Sequence, residues 1–326
     1  MTRDEAVELS KTLKQEKDNL KKLYSDGNSR IKEKESYSTV ELIIPATAYK
    51  PTKVDWSFQQ YFNGFVLAFD CELMIVDPGA DFYSRLTRSN LNINDTRAIF
   101  VSHKHIDHLA GLPLILDMLI KLNRPVDLIM PQDTFDEVLS NFLKEQLTDG
   151  RHNINLILIT VTDFKVASKV KWSALRSLKI VSLHHSAPQT FGFSVKHEDK
   201  EFLYISDAGY SKQIETDKGT FEPNQAQGNF KRIVSKHDSL REFAQSADIA
   251  VININDLFYN RHAHTHLIGW DVIDIFKDSR LKRLVLQHLS PYNARGKSNE
   301  EIYASFFSEE KYDCILPGLD VAKIEL

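Results

Sequence analysis

The sequence predicts a four-layer αββα sandwich of the mixed α/β (α+β) class, preceded by a helical extension. Three observations predict it. Strand-only segments come first, from Ser38 to Asp77, and strand–helix alternation then runs through both halves of the chain. Most of the histidines outside the loops stand at or just beyond the C-terminal ends of strand-like runs, where open α/β sheets place ligands. The chain has 326 residues, 42% hydrophobic and 26% charged, which supplies enough apolar surface for a core and excludes disorder as the dominant state.

Residues 1–36 form a charged extension whose apolar positions Ala6, Leu9, Leu13, Leu20 and Leu23 fit one stripe of an amphipathic helix, stopped by Ser25-Asp26-Gly27-Asn28. The remainder, 37–326, reads as one large domain. STVELIIP, YFNGFVLAFD and ELMIVD are β-branched and aromatic runs between turn residues and read as successive strands. RAIFVSH is a buried strand followed by a helix in LAGLPLILDMLIKL; VDLIMP is a strand followed by a helix over about 132–146. LKIVSLHH, FGFSVKH and FLYISD are strands, then SLREFAQ a helix, ADIAVINI a strand, GWDVIDIFKD a helix, RLVLQH a strand and EEIYASFF a helix, with YDCILP and AKIEL closing the chain. No repeat of fixed period is present.

Composition narrows the function classes. No apolar run reaches the ~18 residues of a membrane span, and the charged N-terminus does not resemble a signal peptide, so the expected location is cytoplasmic. Cys71 and Cys314 both sit in apolar strand-like runs and read as reduced core residues. A net charge of −4 offers no global basic field for coating nucleic acid. Histidine is the oddity. Of twelve, His103, His105 and His108 fall within six residues, His184 and His185 are adjacent, and His262, His264 and His266 alternate. Neutral imidazole is the commonest side-chain metal ligand, so the clustering points to metal.

The central motif is Ser102-His103-Lys104-His105-Ile106-Asp107-His108, which leaves a strand and enters a helix. Four ligand-type side chains so close in sequence converge only if the backbone turns tightly there. This HKHIDH run resembles the HxHxDH signature of the metallo-β-lactamase-fold hydrolases, and further motifs of that family follow in order. Asp77-Pro78-Gly79 is similar to its Asp-x-Gly turn, whose Asp holds the histidine loop; His185, Asp207 and His288 stand where the third histidine, the bridging carboxylate and the last ligand are expected. The resemblance implies two zinc ions per chain, manganese being the alternative: one held by His103, His105, His185 and Asp207, the other by Asp107, His108, Asp207 and His288. Two such ions, about 3.5–4 Å apart, lower the pKa of a shared water and supply hydroxide as nucleophile. His184 and His185 point to opposite faces of a strand, so only one faces the metals; the His185-Ser186 step matches the family and leaves His184 as a packed or supporting residue.

Within the family, HSAPQTFGF, QHLSPY and His266 resemble the phosphodiesterase branch that includes RNase Z. The branch implies that His266 acts on the scissile phosphodiester, stabilising charge and protonating the leaving oxygen. The chain departs from the branch at two points: Leu267 stands where Ser or Thr follows the histidine, and Asn253 replaces its Glu partner, with Asp256 as the substitute. Only 21 residues lie between His185 and Asp207, too few for the long arm of tRNA-processing members. The expected function is therefore a dinuclear-zinc phosphodiesterase acting on a small, cyclic nucleotide, with catalytic roles for Asp107 and His266. An RNase Z-like RNA endonuclease and a lactone or thioester hydrolase are the alternatives. Resemblance also implies a homodimer. The stretch from Tyr210 to about Asp238 reads as an insertion whose Phe221, Phe230, Lys231 and Arg232, with Tyr292, are candidates for substrate contact.

Overall fold

Strand alternation separates the hydrophobic residues into three layers. In the computed structural model the described residues are 40–44, 64–69, 72–89, 91–139, 152–160, 166–258, 262–288, 299–315 and 322–325. They fall in one unit, Val40–Leu326. The expected N-terminal helix, Cys71 and Tyr292 lie outside the described residues.

The first sheet contains β1 (Val40–Ile44), β2 (Phe65–Phe69), β3 (Glu72–Val76), β4 (Thr96–Phe100), β5 (Val126–Pro131) and β6 (Ile154–Ile159), with β17 (Ala322–Glu325) beside β1, in the order β17-β1-β2-β3-β4-β5-β6. It is antiparallel from β17 to β3 and parallel from β3 to β6. The second sheet has β7 (Lys179–Leu183), β8 (Thr190–His197), β9 (Lys200–Ile205), β13 (Ile249–Asp256), β15 (Arg283–Gln287) and β16 (Asp313–Ile315), in the order β16-β15-β13-β9-β8-β7. It too is antiparallel through its first hairpins and parallel from β9 onward.

The period of two along each strand decides which layer a residue joins. Phe65, Leu67, Met74, Val76, Phe100, Phe191, Phe193, Phe202, Tyr204, Val251 and Val285 form one buried cluster, drawn from both sheets. Their neighbours Val66, Leu73, Ile75, Ile99 and Leu128 pack instead against α1 (Phe82–Arg88) and α3 (Leu112–Lys121). Leu203, Ile205, Ala250, Ile252 and Leu284 pack against α4 (Asp238–Ala244), α5 (Gly269–Phe276) and α6 (Asn299–Phe306). The result is the predicted αββα sandwich.

Four local expectations are corrected. The helix read over LAGLPLILDMLIKL is two pieces, α2 (Ile106–Leu109) and α3, broken at Gly111. A Cβ at Gly111 would lie 2.5 Å from the Gly79 carbonyl oxygen, so the Asp77-Pro78-Gly79 turn is seated directly on the junction. The described part of the 132–146 helix is one short turn (Gln132–Thr134) running into a π turn (Phe135–Leu139). NINLILI, not read as a strand, is β6. The 210–238 stretch is not a loose insertion: β10 (Ser211–Thr216), β11 (Gly219–Phe221) and β12 (Phe230–Lys236) form a three-stranded antiparallel sheet.

One buried carboxylate anchors the edge of the first sheet. Asp127 on β5 accepts from Asn155 Nδ2 at 2.7 Å and from the backbone N–H groups of Lys171 and Trp172 at 2.9 and 2.8 Å. Replacing Asp127 by Ala strands these donors and should lower stability by about 2–4 kcal/mol, since each buried unsatisfied group costs ~1–3 kcal/mol. Urea unfolding checks this, and a shift within error of zero would contradict it.

Candidate metal centre

The C-terminal ends of four strands bring most of the candidate site residues together. The loop after β4 and the start of α2 carry His103, His105, Asp107 and His108; His185 follows β7, Asp207 follows β9, and His288 follows β15. His266 lies just before β14 (Leu267–Ile268), a two-residue strand parallel to β13. Asp207 Oδ2 is the point of convergence. The Nε2 atoms of His266, His108, His288, His185 and His103 lie 3.4, 3.5, 3.5, 3.8 and 3.9 Å from that one oxygen. His288 Nε2 is also 3.1 Å from Asp107 Oδ2, and His185 Nε2 is 3.2 Å from His105 Nδ1.

Ligand-type atoms of His103, His105, His185 and Asp207 form one group within 4.8 Å of one another; Asp107, His108 and His288 form a second, and Asp207, His266 and His288 a third. All seven residues expected as ligands are thus assembled, and His266 stands among them rather than behind them. Their chemistry fits a divalent cation. His103 is fully buried, yet its Nε2 has no hydrogen-bond partner, and buried polar atoms are rarely left so.

The outer ring nitrogens are held from behind. His108 Nδ1 is 2.8 Å from Asp77 Oδ2, His103 Nδ1 2.9 Å from Ser102 Oγ, and His185 Nδ1 2.8 Å from the Thr265 carbonyl oxygen. Donating at Nδ1 orients each ring with its Nε2 facing the cluster. Asp77 also accepts from the Ser102 N–H at 2.6 Å, Ser102 Oγ at 2.7 Å and the Tyr204 hydroxyl at 2.6 Å. Ser206 Oγ donates to Ser102 Oγ at 2.7 Å. Asp77 and His288 both adopt positive φ, +46° and +61°, conformations that non-glycine residues hold only where surrounding contacts compel them.

The imidazoles divide by electrostatics. Burial pushes His103 well below the usual histidine value, lowers His105, and brings His185 down to about 4. Burial opposes charge at His108 and His288 as well, but Asp207 and Asp77 outweigh it and hold His108 well above the ordinary value, while Asp207 and Asp107 raise His288. Burial likewise favours a neutral carboxyl at Asp207, yet His288 and His108 hold it far below the usual carboxylate range.

Several supporting residues fall elsewhere than expected. His184 is exposed on the far face of β7's extension, where its ring stacks on His237 at 4.5 Å. Asn253 is not the partner of His266: its Nδ2 donates to Asp207 Oδ1 at 2.9 Å. His266 Nδ1 meets Thr265 Oγ1 at 3.1 Å. Asp256 Oδ1 accepts from the Leu257 N–H at 2.7 Å. Phe221, Phe230, Lys231 and Arg232 lie on the small sheet, where Phe230 stacks on Trp270 at 4.9 Å and Arg232 pairs with Glu215 at 2.7 Å. The sequence reading missed Ser102, Tyr204, Ser206 and Thr265 as supports. Thr265, inside the alternating His run, was the one with a local signal.

This fold and this cluster define a metallo-β-lactamase-fold protein. Residues 53–221 match the family described as Anti-Pycsar protein Apyc1, just over half of the chain, and the chain belongs to that family. Among curated proteins it is 38% identical over 77 residues to the ribonuclease Z of Salinispora arenicola (strain CNS-205), covering 23% of either chain. It is 22% identical over 312 residues to the ribonuclease Z of Thermobifida fusca (strain YX), covering 84% of this chain and 92% of that one. Of solved structures, the metallo-β-lactamase fold protein YhfI from Bacillus subtilis is similar with a TM-score of 0.60 at 14% identity, over 87% of this chain and 99% of that one.

Replacing Asp77 by Ala removes the acceptor of four buried donors and should destabilise the metal-free protein by about 3–5 kcal/mol, the cost of breaking a buried charged pair. The effect depends on pH with a definite sign. His108 is raised in the folded state, so its pairing contributes fully below the free-histidine value of 6.5 and fades as pH rises through the folded value. The stability gap between wild type and Asp77→Ala should therefore narrow from pH 6.5 upward. Guanidinium melts across that range check it; a gap that widens would be contrary.

Proposed function

We propose that the chain is a dinuclear-metal phosphodiesterase that hydrolyses a small cyclic nucleotide. The observation that carries this reading is the convergence of five imidazole Nε2 atoms on Asp207 Oδ2, with Asp107 alongside. His103, His105, His185 and Asp207 would hold one ion, and Asp107, His108, Asp207 and His288 the other. Zinc suits this nitrogen-rich set, with manganese as the alternative. When bound, the ions activate water and neutralise charge on the phosphoryl oxygens.

The chain's own residues then do the rest. Asp77, Ser102 and the Thr265 carbonyl orient the ligand rings so that no reorganisation is needed at reaction. His266, half-buried at the edge of the cluster, is placed to give a proton to the departing oxygen, with Thr265 Oγ1 setting its ring. The connection between β8 and β9 is a tight hairpin, from His197 to Lys200, which supports a small substrate over a structured RNA. The name ribonuclease Z among its relatives supports phosphodiester chemistry. A homodimer, zinc as the native metal and a cytoplasmic location belong to the same proposal; among the described residues no helix is long and apolar enough to cross a membrane.

Hydrolysis of 2′,3′- and 3′,5′-cyclic mononucleotides, measured beside cleavage of a precursor tRNA, a lactone and a thioester, tests the reading. Turnover of a cyclic nucleotide with little activity on the other three is expected; the reverse order would overturn it. Metal loading supplies a second test. His103, His105 and His185 are neutral at pH 7 and lose no proton to a metal, whereas His108 and His288 are raised and must release theirs. About two ions per chain should bind, with proton release and an affinity that climbs with pH confined to one of them. Calorimetry in two buffers of different ionisation enthalpy reads this, and proton release by neither ion would contradict it. Replacing His266 by Ala should lower kcat on a cyclic nucleotide by ~10²–10⁴-fold and leave two bound ions. The loss should be smaller for a p-nitrophenyl ester, whose leaving group needs no proton. Loss of an ion would make His266 a ligand instead.

A further inference from the structure

We propose that Tyr204 and Asn253 are positioning residues, joined in a buried strut that fixes the carboxylates of Asp77 and Asp207 on either side of the His/Asp cluster. The inference rests on the metal-centre reading above and assigns the cluster two supports from the second sheet.

Tyr204 lies on β9 with its ring in the layer between the two sheets, 5.0 Å from Phe65 edge-on and 5.6 Å from Phe193. It is 1% exposed. A phenylalanine would fill that apolar site without the cost of burying a hydroxyl, so the hydroxyl must be accounted for by the bonds it makes. It donates to Asp77 Oδ2 at 2.6 Å and receives Asn253 Nδ2 at 3.4 Å. Asn253, 3% exposed on β13, donates the other hydrogen of the same nitrogen to Asp207 Oδ1 at 2.9 Å. The amide must be oriented this way, because its oxygen would be repelled by the carboxylate.

The consequence is a closed circuit. Tyr204 holds Asp77, Asp77 holds His108 Nδ1, His108 Nε2 faces Asp207 Oδ2 at 3.5 Å, Asn253 holds Asp207 Oδ1, and Asn253 returns to Tyr204. Pinning Oδ1 leaves Oδ2 as the oxygen on which the five imidazoles converge. Two-point restraint by Asn253 and the strand end denies Asp207 the rotation that would interchange its oxygens. Asp77 stands just beyond β3 of the first sheet, Tyr204 and Asn253 lie on strands of the second and Asp207 just beyond β9, so the strut also sets the spacing of the two halves of the cluster.

The test uses full-length Tyr204→Phe, Asn253→Ala and the double variant. Zinc affinity is read by chelator competition, the ligand field by the visible spectrum of the cobalt-loaded protein, and stability by urea unfolding of the metal-free protein. Each single variant should bind zinc ~10–100-fold more weakly, the usual effect of removing a support behind a ligand, and should shift the cobalt bands. Because the two residues share one strut, the double variant should lose little more than the worse single one. The metal-free Tyr204→Phe protein should unfold near the wild-type urea midpoint. Zinc affinities within twofold of wild type with an unchanged cobalt spectrum would overturn the proposal, as would fully multiplicative losses. If Tyr204→Phe fails to fold, Asn253→Ala carries the same readouts; failure of both to fold assigns the pair a purely structural role and overturns it too. Wild-type protein that takes up no zinc or cobalt would overturn the metal centre itself, an outcome seen before any variant is compared.

Discussion

Four donors meeting the fully buried carboxylate of Asp77 are the constraint on which the rest of the site hangs. A charge in a dry interior costs several kcal/mol unless its lone pairs are satisfied, and here both oxygens are. The left-handed backbone at Asp77 turns the chain off β3, and its N–H bonds the Phe100 carbonyl at 2.9 Å, so the turn is tied to the end of β4. The Gly111 N–H donates to the Pro78 carbonyl at 2.8 Å, which ties the same turn to the start of α3. The histidine loop is therefore clamped at its first residue, at its last, and beneath. That is what converts six residues of sequence into convergent ligands.

The same carboxylates explain why the cluster is electrostatically uneven. Charged imidazoles in contact repel one another, and burial disfavours charge on His103, His105, His108, His185 and His288. Among these five, only His108, beside Asp207 and Asp77, and His288, beside Asp207 and Asp107, find enough negative charge to be raised above the ordinary histidine value. Those on the other side, His103, His105 and His185, are left neutral and ready to coordinate. The cluster thus combines charge pairing on one side with neutral imidazoles on the other.

Much of this was legible in the sequence, for reasons that are physical. The layers follow from alternation: Phe65, Leu67 and Phe69 face one core while Val66 and Ala68 face another. The clustering of histidines at strand ends pointed to metal, and the expected ligand set came from the resemblance of the HKHIDH run and the later motifs to the metallo-β-lactamase-fold signature. What was not legible came from elements whose patterns are weak or interrupted. β10 buries Ser211, Ile214 and Thr216, too little apolar character to announce a strand. α2 spans four residues and ends where a close backbone approach requires Gly111, so its helical period merged with that of α3. The supports of the ligands were hidden for a different reason. Ser102, Tyr204 and Ser206 read as ordinary strand residues, and only the pairing of two sheets places their hydroxyls against one carboxylate and one another.

Thr265 shows how a departure from a family pattern can be made good by a neighbour. The expected hydroxyl after His266 is absent, and the expected acidic partner is Asn253, which bonds Asp207 instead. Thr265 supplies the missing hydroxyl from the preceding position: its Oγ1 meets His266 Nδ1, while its carbonyl takes His185 Nδ1. The loop is held at that height by backbone packing. Gly209, two residues beyond Asp207, donates to the His184 carbonyl at 2.6 Å, and a Cβ there would lie 2.1 Å from the His264 carbonyl oxygen. The loops that carry His185, Asp207 and His266 are thus stacked backbone on backbone, with no side chain between them. A shift in any one of them displaces the other two. The histidine proposed to move a proton is therefore kept in register with the ligands by the same contacts that orient them, although it shares no motif with them in the sequence.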